Sequence, residues 1–272
     1  MGKNHTQTGK SLAAGRRRVL VTGGGTFLGD YIAAALLAEG AEVSLLVRPE
    51  AEDKLGPLAQ QVRWSTADIW NPASLRGRAR GHSTVIHTVG SMTADPAKGL
   101  NHNWLNFVSA RNVANMCVSD GCSHIVLLSS ASAPWVPRPY LRAKREAESY
   151  IERVGLKPTI IRAPVAYLRG QQRHPFYWLM TFLGSVPPLS WLAFGRVAPL
   201  PVEILARGVA RIALEPQPGK KIYYRRDIRR RVSGSEAIST FPLNEQDIQP
   251  PPANPFDQVS DDVPFGWTPP ED

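Results

Sequence analysis

Apolar positions in this 272-residue chain follow two alternating rhythms. Short, solid runs bounded by glycine, proline or polar residues occur at Val19-Leu20-Val21, Glu42 to Val47, Val62 to Ser65, Ser83 to His87, Ile125 to Leu128 and Thr159 to Arg162. Runs this short and this rich in β-branched residues predict strands buried on both faces. Between them lie stretches with helical spacing: Asp30 to Glu39, stopped by Gly40, then about Leu100 to Ser119, and Pro139 to Val154. Strands and helices alternating in this order predict an α/β fold with a doubly wound parallel sheet and right-handed crossovers. From about Gly170 to Glu215 a smaller lobe is expected over the C-terminal strand ends, with Pro201 to Leu214 as its clearest helix.

The rhythm stops at both ends. Residues 1–18 carry Lys3, Lys10, Arg16, Arg17 and Arg18 without an acid, and read as a basic extension. The fold is expected over residues 19–230, and residues 231–272 read as a Pro-rich acidic tail. From Phe241 onward the chain holds seven acids and no Lys or Arg, among prolines such as Pro250-Pro251-Pro252. Such a stretch has no periodicity with which to build a core of its own. Phe256, Phe265 and Trp267 are spaced like anchors of an extended peptide on another surface, so protein partners are expected through both ends.

Composition narrows the setting. At 43% hydrophobic the chain can bury one sizeable core. Cys117 and Cys122 fit no metal spacing and read as two reduced thiols near a helix end, so no metal is expected. The net charge of +9 does not gather into a basic stripe interleaved with aromatics, and no nucleic acid is expected. Arg225-Arg226 and Arg229-Arg230-Arg231 read as one local, solvated or partner-facing cluster. The basic, acid-free N-terminus is compatible with a mitochondrial transit segment, the alternative being a cytoplasmic protein, and Gly2 fits the minimal myristoylation pattern. Phe176 to Leu200 is long and apolar, but Pro187-Pro188 and Arg196 interrupt it, which favours a buried lobe or a surface touching lipid over a membrane span.

The first run leads straight into candidate chemistry. Val19 to Val21 is followed by Thr22-Gly23-Gly24-Gly25-Thr26-Phe27-Leu28-Gly29 and then by a helix. Glycines in a strand-to-helix turn allow backbone N–H groups to approach a pyrophosphate at the positive end of the helix. Gly29 removes a side chain where the helix is expected to pack on the sheet. The second strand ends in Val47-Arg48-Pro49, where NAD-binding units place an acid for the ribose diol. A guanidinium there suits a 2′-phosphate, so NADPH is expected rather than NAD. Tyr140 and Lys144 stand four apart and share a helix face, with Lys144 expected to lower the phenol pKa. They follow the strand Val126 to Leu128 and the serines Ser129, Ser130 and Ser132.

These motifs resemble the short-chain dehydrogenases/reductases (SDRs), in their extended and atypical branches, over roughly residues 19 to 230. Within the Thr-Gly-x-x-Gly-x-x-Gly signature of that family, Thr26 occupies the middle glycine position, where its Cβ would approach the phosphate or shift the turn. The resemblance implies Tyr140 and Lys144 as the catalytic pair, with the serine hydroxyl on Ser130 or Ser132, the alternative being that Ala131 holds its usual place. It implies cofactor contacts from Thr22, Gly23, Gly25, Thr26, Phe27, Leu28, Gly29 and Arg48, from the adenine-side loop Asp68-Ile69, from the turn Thr88-Val89-Gly90, and from Lys144 and Pro164. Asn112 matches a helix asparagine that steadies the central strands, and Arg162-Ala163-Pro164 resembles the turn beside the nicotinamide. Phe27-Leu28-Gly29, Trp64 with Ala67-Asp68-Ile69, and Tyr140 to Glu148 are similar to a mitochondrial group containing the nucleotide-binding accessory subunit of respiratory complex I and the SDR-like protein of coenzyme Q biosynthesis. That resemblance implies an NADPH-binding accessory or assembly subunit of a mitochondrial membrane complex, on the matrix side. The alternative is an active reductase, dehydrogenase or epimerase using Tyr140 and Lys144.

Overall fold

The computed structural model describes residues 17–96, 99–168, 198–216 and 218–233. Most of the basic extension, the apolar stretch of the expected lobe up to residue 197, and the tail from residue 234 lie outside them. Among the described residues the strands are β1 (Arg18–Gly24), β2 (Glu42–Val47), β3 (Arg63–Thr66), β4 (Thr84–His87), β5 (His124–Ser130), β6 (Lys157–Ala163), β7 (Ala166–Tyr167), β8 (Leu200–Pro201) and β9 (Ile222–Tyr223). The α-helices are α1 (Phe27–Ala38), α2 (Ser109–Asp120), α3 (Arg138–Arg153), α4 (Val202–Ala213) and α5 (Arg225–Arg230). Seven strands form a parallel sheet in the order β3-β2-β1-β4-β5-β6-β9, and β7 pairs with β8 beside it.

Each strand feeds two cores, because successive side chains point to opposite faces. Val19, Val21, Leu45, Val126 and Ile161 face α1 and α4, whereas Leu20, Leu46, Val85, Ile125 and Leu127 face α2 and α3. Fully burying one such side chain stabilises the fold by about 1.5–3 kcal/mol. This two-sided burial explains why the strands read as solid apolar runs. Across the sheet, His124 bonds through one ring nitrogen to Thr84 Oγ1 at 3.0 Å and through the other to Thr159 Oγ1 at 2.9 Å, joining β4, β5 and β6.

Three local departures have physical causes. Helix α1 starts at Phe27 rather than Asp30, because Thr26 caps it and draws Phe27, Leu28 and Gly29 into its first turn. The helix expected from about Leu100 divides into a π-helical stretch, Asn103–Val108, and α2. The basic cluster is not simply a solvated patch: Arg225–Arg230 forms α5, which buries Ile228 against α4, and Arg231 pairs with Glu215 at 2.6 Å. Cys117 and Cys122 are both free and buried where α2 ends at the left-handed Gly121. No helix among the described residues is long and apolar enough to cross a membrane.

Gly208 is the contact point between α4 and α5, since a Cβ there would overlap Ile228 Cγ2 and stand 3.0 Å from its carbonyl oxygen. Replacing glycine by alanine inside a helix gains about 1 kcal/mol of propensity, while overpacking a tight contact costs about 1–3 kcal/mol. Gly208→Ala is therefore expected to destabilise the protein by about 1 kcal/mol net in urea unfolding. Unchanged stability would mean that α5 is free to move off α4.

Candidate functional site

The chain leaves β1 toward one side of the sheet through β2 and β3, then crosses to β4, which lies on the other side of β1. The carboxyl ends of β1 and β4 therefore border the crevice where open α/β sheets bind ligands. The glycine turn lies at this point, with Gly23 and Gly25 at φ 88° and 77°. Thr26 Oγ1 donates to the Gly23 carbonyl at 2.6 Å and accepts from the Gly29 amide at 3.3 Å. The hydroxyl is thus turned back into the turn it caps. Gly29 stands where the helix meets the sheet: a Cβ on it would collide with the carbonyl of Gly23, at the end of β1.

Two cavities flank this turn. The first is bordered by Gly23, Gly25, Thr26, Ile69 and Val89, with Arg48 and Lys54 as its cations and Trp70 as its aromatic wall. Lys54 and Trp70 carried no motif signal, since a lysine in a loop and a lone tryptophan are common on any surface. Asn112 does not tie the central strands as expected. Its amide donates to the carbonyls of Ile69 and Trp70, at 3.1 and 3.2 Å, and so holds the loop that forms this wall. Asp68 does not border the cavity. Its carboxylate accepts from the Trp70 amide at 2.9 Å and shapes the loop from within. Thr22 is likewise internal, hydrogen-bonded to His87 Nδ1 at 2.9 Å while its carbonyl accepts from Thr88 Oγ1. Burial and the nearby charge of Lys144 lower the His87 pKa to about 3, so this imidazole is neutral.

The second cavity is a solvent-open cleft that gathers Phe27, Leu28, Thr88, Gly90, Ser130, Tyr140, Lys144 and Pro164. Tyr140 is hydrogen-bonded with Ser130, which borders the cleft, whereas Ser132 is exposed and Ala131 buried outside its lining. Lys144 Nζ donates to the Leu128 carbonyl at 3.2 Å and stands 5.8 Å from the centre of the Tyr140 ring. The expected lowering of the phenol pKa by Lys144 is not what the structure gives. Burial raises it to about 12, with the Ser130 hydrogen bond and the Arg145 charge pulling the other way. Gly90, at φ 145°, cannot carry a side chain, because a Cβ would overlap Lys144 Nζ and Asn106 Oδ1. Asn106 belongs to the π-helical stretch; its amide donates to the Ser91 carbonyl at 2.8 Å and its buried Oδ1 has no partner in the protein. π turns often occur at functional sites, but no sequence spacing announces them.

Beneath the cleft lies a charge network that the sequence reading missed. Helix α3 buries Ala143, Lys144, Ala147, Glu148 and Ile151, a stripe in which two positions are charged. Glu148 accepts from Ser129 Oγ, Arg145 and Arg162, each at 2.5 Å. Burial opposes its charge, yet the Arg162 and Ser129 hydrogen bonds and the Arg145 charge hold its carboxyl below the usual range. Arg145 also donates to the Ser130 carbonyl at 2.8 Å, and Arg162 to Tyr224 Oη at 3.0 Å. Arg162 therefore turns away from the cleft, leaving Pro164 to border it. Among the described residues no group of three or more His, Cys, Asp or Glu side chains could hold a metal ion.

Comparison with known proteins agrees with this geometry. The profile of a family described as NAD(P)H-binding matches residues 23–174, more than half of the chain, and the chain belongs to that family. The ceramide reductase of Caulobacter vibrioides is 28% identical over 151 residues, which cover 55% of this chain and 46% of that one. The human sterol-4-alpha-carboxylate 3-dehydrogenase, decarboxylating, is 29% identical over 116 residues, covering 43% of this chain and 30% of that one. The chain thus spans less than half the length of these curated relatives. The crystal structure of the Bordetella bronchiseptica enzyme WbmH in complex with NAD+ shares the fold, with a TM-score of 0.56 and 21% identity over 76% of this chain and 75% of that one. The residues present fit a dinucleotide: a capped helix N-terminus behind a glycine turn, with a cation-bordered cavity on one side and the Tyr140 cleft on the other.

Asp30 adds a pH-dependent cost to the same turn. It is buried, its Oδ1 accepts from the Gly25 amide at 2.9 Å, and burial pushes its pKa up to about 7 against that hydrogen bond. The folded protein therefore holds a proton that the unfolded chain releases near pH 3.8, and stability falls as pH rises between the two values. Asp30→Asn keeps an acceptor and removes the charge. The variant is expected to unfold at a higher temperature than the parent at pH 8, with an advantage of a few kcal/mol that vanishes by about pH 4. An advantage that does not change with pH would show that Asp30 does not titrate there.

Proposed function

We propose that this chain is an NADPH-dependent oxidoreductase of SDR type that reduces a carbonyl group, and in the reverse direction oxidises the alcohol. The carrying observation is the assembly of Tyr140, Ser130, Lys144 and Gly90 in one cleft at the switch point of the sheet. Reduced nicotinamide, when bound, supplies the hydride. Tyr140 donates the proton to the carbonyl oxygen, and its raised pKa keeps that proton in place at neutral pH. Ser130 supplies a hydrogen bond to the same oxygen, where negative charge develops. Lys144, anchored by the Leu128 carbonyl, places a positive charge beside the phenolate left behind and can reach a ribose hydroxyl. Arg48 and Lys54 offer the two charges that suit a 2′-phosphate, which supports NADPH over NADH.

The names of the reductase and dehydrogenase relatives support this reading over epimerisation. The accessory or assembly role expected from the sequence drew on Thr26, the open choice of serine and the two ends, and the ends lie mainly outside the described residues. The assembled proton donor favours chemistry.

Tyr140→Phe is expected to lower turnover by about 10²–10⁴-fold while leaving NADPH affinity within about twofold, because only the transferable proton is lost. Lys144→Met should weaken both turnover and binding. NADPH consumption with a panel of ketones and aldehydes, alongside titration of cofactor fluorescence, checks both. A tyrosine variant with full turnover would end the reading.

Cofactor choice gives a separate test. A charge-assisted hydrogen bond contributes about 1.5–3 kcal/mol, so Arg48→Asp should weaken NADPH binding by about 10–100-fold and leave NADH binding equal or improved. Equal affinities of the parent protein for the two nucleotides would remove Arg48 from the argument.

A further inference from the structure

Few polar side chains border the cleft. Ser130 and Lys144 stand with Tyr140, Thr88 Oγ1 is turned to the Thr22 carbonyl and Ser129 Oγ to Glu148, while Met92, Val165, Ala166 and Leu205 form walls without a charge. Around Tyr140 a separate apolar cluster of Ala131, Ala133 and Val136 packs with Met92, Trp135 and Leu141, extending the same character to the approach. Lys144 is the one charged side chain among the described residues that border the cleft, and its ammonium is anchored on the Leu128 carbonyl. Arg145 and Arg162, beneath the cleft, are held by Glu148. These walls offer no cation to a carboxylate or phosphate on the substrate body and no anion to an amine. A charge carried there would lose its water without gaining a partner.

Resting on the oxidoreductase reading, we infer that the substrate is a neutral, largely hydrocarbon ketone, or the corresponding secondary alcohol, whose apolar body lies along Met92, Val165, Ala166 and Leu205. In the step, hydride from reduced nicotinamide forms the new C–H bond and the C–O π pair takes the proton of the Tyr140 hydroxyl. The products are the alcohol, the oxidised cofactor and a phenolate that is reprotonated from solvent.

Methyl ketones of increasing length provide the test: butanone, hexanone, octanone and decanone, with oxodecanoate as a charged analogue of similar length. Burying one methylene is worth about 0.8 kcal/mol, so kcat/KM is expected to rise about fourfold per methylene until the cleft is filled. Oxodecanoate should be used at least tenfold less well than decanone. Val165→Asp should raise KM for decanone at least tenfold and for butanone much less, with NADPH affinity by fluorescence reporting that the fold is intact. Should that variant fail to bind cofactor, Met92→Gln gives the milder version of the same shift. A flat length series, or a preference for the charged analogue, with turnover still dependent on Tyr140, would overturn the inference and leave the oxidoreductase reading standing. Absence of turnover with every carbonyl would overturn the oxidoreductase reading instead. Calorimetric titration of the NADPH-loaded protein then decides the inference, upheld by tighter binding of decanone than of oxodecanoate and overturned by its absence.

Discussion

Glu148 carries a negative charge into the interior, and much of the site is arranged around keeping it there. A carboxylate that is only 4% exposed needs partners, and removing one side of such a buried pair typically costs about 3–5 kcal/mol. Its partners are drawn from three places: Arg145 one turn back on α3, Arg162 near the end of β6, and Ser129 near the end of β5. Because Arg145 also holds the Ser130 carbonyl and Arg162 also holds Tyr224, one charge fixes the strand end that presents Ser130 and the segment leading into α5. The serine is placed from below, by Glu148, Arg145 and Arg162, none of which borders the cleft.

The second constraint is closeness of backbone. At Gly29 the helix meets the turn before it, and at Gly90 the loop after β4 meets Lys144 and Asn106, with no room for a methyl group at either point. Both contacts lie beside the β1/β4 crevice, one on each flank. The apolar sheet supplies rigidity, and the glycines let polar groups converge upon it.

The legible parts of the molecule were those with period or punctuation. Strand β2 falls on its expected residues, Glu42–Val47, because a central parallel strand is apolar throughout and is bounded by turns. Tyr140 and Lys144 were legible because helical geometry puts residues four apart on one face, and Ser130 was within reach of the same pattern. Strand β9 was not, since two residues pairing on the sheet edge leave no period to detect. The Glu148 network was hidden for a different reason: charges on an amphipathic helix are normally solvated, and Glu148 with Arg145 looks like a surface pair until β5 and β6 cover it. Asn106 and Lys54 acquire meaning only from what the fold places opposite them. The pKa of Tyr140 illustrates the limit of spacing, because proximity to Lys144 was readable while the larger effect of burial was not.

The π-helical stretch Asn103–Val108 can be read as one residue more than a continuous helix requires. The surplus lets two demands be met at once, with Asn106 directed at Gly90 while Ala110, Val113, Ala114 and Cys117 of the following helix face the sheet. An ordinary α-helix turns about 100° per residue, so it could satisfy one of these orientations but would rotate the other out of place. Losing a single residue here would accordingly not break the helix. It would convert the segment to a regular one, preserve the core, and swing the amide away from Lys144, so that the smallest possible length change in this region would alter the site while sparing the fold.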